Sequence, residues 1–351
     1  MMKLKCLIVV VMCLVVSNAD ENEKKDHNGE EHKALCKLLK AAVGKWGDGG
    51  KHLSGPLQKA LAKTIFGKQS SVETVESLKG KLPDDYNSVL KVSDSRNMAC
   101  GQQPNDAGDY HNVHQIRWSG YSAPHDLVCL CTTGMDGLPL NNSDTQDTLC
   151  GQEKDVLKAS TGDKGWTNTQ DKGKQQIEAT WKSVTAPCLE GADKEGLQEA
   201  LEDFLKKLQQ KPEKDVTQNR YLLGESNITE TDSNACTGSP KYGVCVAYFN
   251  STKITKTMPW WTELQNAIPE EEKFQEEKKK LEEEERRKQQ EEAEKQDPLK
   301  TDALTSAHTT TNKTDQHRND NITDTIRKFN MKSSTPISMP SSWLLSAVFL
   351  F

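Results

Sequence analysis

Apolar residues recur at helical spacing through Ala34, Leu35, Leu38, Leu39, Ala42 and Val43, and again at Leu57, Leu61, Ile65 and Phe66 after a glycine-rich break at 47–50. Val72, Val75 and Leu78 carry the period on, and 84–92 has room for a further turn or two of helix. Gly55-Pro56, Gly67 and Leu82-Pro83-Asp84 punctuate this half. Between residues 93 and 173 the periodicity dissolves into turn residues and scattered aromatics; the runs Val113–Trp118 and Leu127–Cys131 suit at most short strands. Helical spacing returns at Ile177, Thr180, Trp181 and Val184, then at Leu197, Leu201, Phe204, Leu205 and Leu208, with Pro187 and Pro212 as breaks. The pattern predicts a mainly α fold, an elongated antiparallel helical hairpin or bundle whose arms are joined by a loop-rich head.

Beyond a last compact piece, 236–261, the chain becomes low in complexity. Trp260-Trp261 reads as an aromatic pair closing the end of a core rather than as an exposed binding patch. Residues 270–296 alternate blocks of acids and bases three to four apart, which supports a solvated helix through ion pairs. Only Phe274, Leu281 and Ala293 are available as seam positions, too few for a coiled coil. Residues 297–333 are rich in Thr, Asn and Asp and nearly free of large apolar side chains, the composition of a disordered tether.

The two termini carry targeting patterns. Lys3 and Lys5, the apolar run Cys6–Val16 and the small residues Ser17-Asn18-Ala19 form a signal peptide cleaved after Ala19. Ser333-Ser334-Thr335, a short spacer and the apolar tail Trp343–Phe351 form the signal for a glycosylphosphatidylinositol (GPI) anchor attached at Ser333. The tail is far shorter than the about twenty apolar residues a membrane helix needs. The chain thus divides into a signal peptide (1–19), an N-terminal domain (20–267), a charged helical spacer (268–296), a tether (297–333) and a removed anchor signal (334–351).

Composition narrows the function. With 34% hydrophobic and 28% charged residues and a mean hydropathy of −0.77, the whole chain cannot be one uniformly packed globule. A net charge of −6 and no concentrated basic stripe argue against nucleic acid as a partner. Of ten cysteines, Cys6 and Cys13 leave with the signal peptide. Cys36, Cys100, Cys129, Cys131, Cys150, Cys188, Cys236 and Cys245 remain, an even set that reads as four disulfides in an exported chain. Adjacent Cys129 and Cys131 should reach different partners, and only Cys236 and Cys245, around the turn Thr237-Gly238-Ser239-Pro240, suggest a specific pair. Sequons at Asn141, Asn227, Asn250, Asn312 and Asn321 are candidate N-glycosylation sites.

No catalytic constellation is visible. His111 and His114 form an H-x-x-H without the glutamate of a zinc helix, and His125 follows in the same loop region, so a metal role is disfavoured. A nucleophile elbow, a phosphate loop and a dinucleotide fingerprint are all lacking, and oxidised cysteines offer no nucleophile. The expectation is a non-enzymatic protein that needs no cofactor.

Two segments resemble a known family. Cys129-Leu130-Cys131-Thr132-Thr133-Gly134 and Ala235-Cys236-Thr237-Gly238-Ser239-Pro240-Lys241-Tyr242-Gly243-Val244-Cys245-Val246-Ala247-Tyr248-Phe249 are similar to cysteine segments of the variant surface glycoproteins of African trypanosomes, in particular the shorter coat proteins of the Trypanosoma congolense type. The resemblance implies a GPI-anchored coat protein at the outer leaflet of the plasma membrane, shielding the membrane and exchanged in antigenic variation. Its implied partners are a second copy in a homodimer, neighbouring coat molecules and host antibodies, with membrane contact through the lipid only. The chain departs from larger members in having no cysteine after Cys245. The alternative is a GPI-anchored receptor for a host protein or nutrient on a similar helical scaffold.

Overall fold

The computed structural model describes residues 24–68, 73–102, 115–142, 146–160, 164–191, 196–211, 218–229, 231–251 and 258–295. The signal peptide, the tether, the anchor signal with Ser333, and His111, His114, Asn312 and Asn321 lie outside them. The chain divides after Arg286. Residues 287–295 of the second part are helical.

Helix α1 (Gly29–Trp46) buries Ala34, Leu35, Leu38, Leu39, Ala41 and Ala42 along one stripe, the seam visible in the sequence. Helix α2 (Gly55–Phe66) starts where Ser54 Oγ accepts from Leu57 N and Pro56 occupies the first turn. It ends at Gly67, whose φ of 77° and contact with the Tyr121 ring leave no room for a side chain. Helices α3 (Val75–Gly80), opened by a Thr74/Ser77 capping box, and α4 (Tyr86–Val89) follow. A π turn at Asn97–Gly101 precedes α5 (Ala123–Cys131). Helix α6 (Lys174–Thr180) runs through a second π turn, Trp181–Thr185, into α7 (Ala186–Cys188), and α8 (Leu197–Lys207) has a strongly one-sided apolar face. Helix α1 packs on α8, α2 and α5.

The structure corrects two readings of the middle of the chain. Leu127–Cys131 is helical, not a strand: Ser122 caps α5 by accepting from His125 N, Pro124 sits in the first turn, and every residue from Ala123 to Cys131 is buried. A helix buried all round loses the one-sided pattern, so a short apolar run mimics a buried strand. In Val113–Trp118 the described residues, 115–118, form no strand.

Sheet structure appears elsewhere. Strands β1 (Asp26–His27) and β2 (Thr148–Leu149) pair in parallel. Strands β3 (Gln209–Lys211), β4 (Gln218–Glu225) and β5 (Val244–Ser251) form an antiparallel sheet in that order, with Tyr221 opposite Tyr248 and Leu222 opposite Ala247. Val244 to Tyr248 are all buried: α5 and the Asn97–Gly101 turn pack against β5, and the Phe204 and Trp261 rings meet Tyr248.

Helix α9 (Trp260–Lys295) starts inside the core and leaves it gradually. Trp260 and Trp261 are buried, as are Leu264, Ala267, Ile268 and Glu271. Lys63 on α2 meets Glu263, Nζ to Oε1 2.5 Å. Glu271 accepts the backbone N–H of Ser54 at 2.7 Å, and Gln275 donates to His52 O at 3.1 Å. The first four turns of α9 therefore hold the entrance of α2. A chain ending after Ala267 should be about 2 to 4 kcal/mol less stable than one ending after Lys278, from the lost Glu271 contact with Ser54 N and the lost burial of Ile268. Denaturant unfolding of the two chains checks this; equal midpoints would refute the placement of the domain end beyond Gln275.

Candidate functional site

Arg96 lies at the junction of the loops, with no solvent exposure. Its Nε donates to Cys236 O at 3.2 Å, Nη1 to Thr133 O at 3.0 Å and Trp166 O at 2.8 Å, and Nη2 to Cys129 O at 3.1 Å and Thr132 O at 2.8 Å. All five guanidinium N–H groups are thus used, each on a backbone carbonyl. The guanidinium also lies over the Trp166 ring, 5.4 Å from its centroid. Burial pulls its pKa down to about 9, which leaves it charged at neutral pH.

The carbonyls come from both cysteine segments, 129–134 and 235–249, and from the Trp166 loop. Those backbones touch: a Cβ on Gly165 would lie 1.7 Å from Gly134 O, and one on Gly134 would lie 2.1 Å from Gly238 O. Glycine at these positions permits the close approach. Four disulfides fasten the surroundings, pairing Cys36 with Cys188, Cys100 with Cys129, Cys131 with Cys150, and Cys236 with Cys245. Cys129 and Cys131, two apart on α5, reach partners on either side of it. The first bridge joins α1 to α7, and the others fix the loops around Arg96.

The remaining buried charges are also engaged. His125 Nε2 donates to Ala99 O at 3.0 Å while Nδ1 accepts from Tyr86 Oη at 2.8 Å, so both ring nitrogens are occupied and burial pushes its pKa down to about 3. Arg117 pairs with Asp85 at 3.0 Å and stacks on Tyr86 and Tyr121, 4.5 and 4.9 Å from the ring centroids. Asp126 accepts from Trp260 Nε1 at 2.7 Å and Gly120 N at 2.9 Å, tying α9 to α5, and burial pushes its pKa up to about 7. His32 lies 3.8 Å from Cys188 Sγ and near Cys36, but the two sulfurs are bonded to each other and offer no thiolate to a metal.

These groups tie the loops and helices of the domain to one another. Of the candidate glycosylation sites, Asn141 and Asn227 are exposed, and Asn250 lies on β5 opposite Asn219. Among the described residues, no helix is long and apolar enough to cross a membrane. A family model for the trypanosomal VSG domain (VSG_B) matches residues 45–290.

The chain belongs to the trypanosomal VSG domain family. No curated protein matches it. The matched span holds Arg96, both cysteine segments and the start of α9, whereas Cys36, on α1, lies before it and is tied to the VSG domain by its bridge to Cys188. Sequence reasoning identified the two segments but missed Arg96, Asp126 and Trp166. A lone arginine in a polar loop region carries no pattern, because its partners are carbonyls that any residue supplies.

Replacing Arg96 by Met should remove five hydrogen bonds from buried carbonyls, of which Thr133 O alone keeps another donor among the described residues, Trp166 N, and lower unfolding free energy by more than about 3 kcal/mol, with Lys only partly compensating because it has three donors. Urea unfolding of the oxidised proteins checks this. Asp126 gives a pH signature. Its folded pKa of about 7 exceeds the ordinary carboxylate value, so its contribution is fully present below about pH 4 and is lost as pH rises to about 7. The loss is on the order of 4 kcal/mol, and Asp126→Asn should flatten that slope in unfolding measured from pH 4 to 8.

Proposed function

We propose that this protein is a GPI-anchored coat glycoprotein that shields the plasma membrane sterically and is exchanged in antigenic variation. The observation that carries the reading is the trypanosomal VSG domain match over 45–290, which spans both cysteine segments and the arginine they enclose. In this reading the signal peptide ends at Ala19, Ser333 carries the lipid, and the sequons bear glycans that keep crowded neighbours soluble. The chain acts without chemistry or cofactor, as a homodimer among coat neighbours. Its charged helix and tether separate the folded domain from the lipid.

The division between fixed interior and open loops supports the antigenic role. Met135 and Val156 in the loop region are 45% exposed, while the disulfides beneath hold the loops to the core. Substitutions at such exposed positions change the surface with little effect on stability.

Phosphatidylinositol-specific phospholipase C should release the protein from intact cells, and the released chain should end at Ser333. Antibodies raised by infection should bind live cells chiefly through residues 93–173. A chain that keeps Trp343–Phe351 would refute the anchor. Sparse surface expression with capture of one host protein would instead favour the receptor reading.

A further inference from the structure

A cleft of about 600 Å³ opens between the α3–α4 connection and the α6 segment, with Lys79, Lys81, Lys174 and Lys182 on its walls. Among the described residues Asp84 and Glu178 are the only carboxylates lining it, so ammonium groups there outnumber carboxylates two to one in a chain whose net charge is −6. Lys79 pairs with Glu76 at 2.8 Å and Lys81 with Asp84 at 2.6 Å. Lys174 and Lys182 are exposed and have no ion-pair partner among the described residues.

The backbone accounts for the vacancy at Lys182; Lys174 and Glu178, four apart within the regular helix α6, do not pair. Lys174, Glu178 and Lys182 are four apart, and in a regular α-helix Glu178 would be well placed to pair with Lys182. The π turn Trp181–Thr185 begins between them and widens the helix by a residue. Such turns recur at functional sites. Trp181 is itself pinned in the floor, donating its indole N–H to Leu78 O at 2.9 Å, and Leu82 and Pro83 add apolar surface beside it. The cleft thus combines unpaired ammonium groups with an apolar floor in a volume suited to a small ligand.

We infer that this cleft binds a compact oligoanion, a sulfate- or phosphate-bearing sugar or polyol, with Lys174 and Lys182 as its principal charge contacts. Ammonium groups take up such oxyanions through charge-assisted hydrogen bonds, and the apolar floor receives the ring.

Isothermal titration of the full mature chain with a heparin-derived tetrasaccharide, inositol hexakisphosphate and a neutral maltotetraose tests this and separates sulfate from phosphate sources. At least one oligoanion should bind, with affinity falling as salt rises, and the neutral sugar should not. Lys174→Ala and Lys182→Ala should each weaken binding about tenfold, the loss of one charge-assisted hydrogen bond, while Lys154→Ala, on an exposed loop outside the cleft, should not. In the unmodified chain, NMR shifts on titration should centre on Trp181 Nε1 and the Asn87 amide. Absence of binding to both oligoanions at low salt would overturn the inference. So would affinity unchanged in both lysine variants, or shifts confined to other parts of the molecule.

Discussion

A single buried guanidinium replaces secondary structure in the centre of this domain. Loops that cross an interior cannot leave their carbonyls unpaired, and Arg96 satisfies five of them from three chain segments. It does so without a carboxylate partner among the described residues: the carbonyl dipoles and the Trp166 face hold the charge. The close approach of Gly134, Gly165 and Gly238 follows from this geometry, because the carbonyls can converge on one planar group only if the backbones touch.

The disulfides and α5 extend that constraint outward. Helix α5 is buried on every side, covers β5 and carries two cysteines that reach in different directions. Asp126 on the same helix holds Trp260, so the start of α9 is coupled to the loops through one side chain. Lys63, Ser54 and His52 then receive α9 over its next turns. The interior is thus a chain of polar contacts threaded through apolar packing, each of which would be costly to leave half made.

This arrangement suits a protein whose work is done by its surface. The polar groups that demand specific partners are turned inward, and the loops they fasten present exposed side chains with few obligations. A coat molecule needs that separation: a rigid interior that survives crowding and an exterior free to differ. The lysine-lined cleft stands apart from it, on the α3 and α6 side, where a π turn parts Lys182 from Glu178.

The helices α1, α2, α6 and α8 were legible in the order of residues, because local periodicity and breaks such as Gly55-Pro56, Gly67 and Pro212 act over a few positions. The helical nature of residues 270–295 and the burial of Trp260 and Trp261 were legible for the same reason, as were the even cysteine count and the two family segments. Helix α5 was hidden because complete burial erases amphipathic contrast, although Ser122 and Pro124 marked its start. The sheet, the pairing of Cys36 with Cys188 and the reach of α9 to Gln275 depend on residues more than a hundred positions apart or on neighbouring strands. Arg96 shows the limit most plainly: its side chain is ordinary, its partners are backbone atoms common to every residue, and only the tertiary structure brings those five carbonyls to one point.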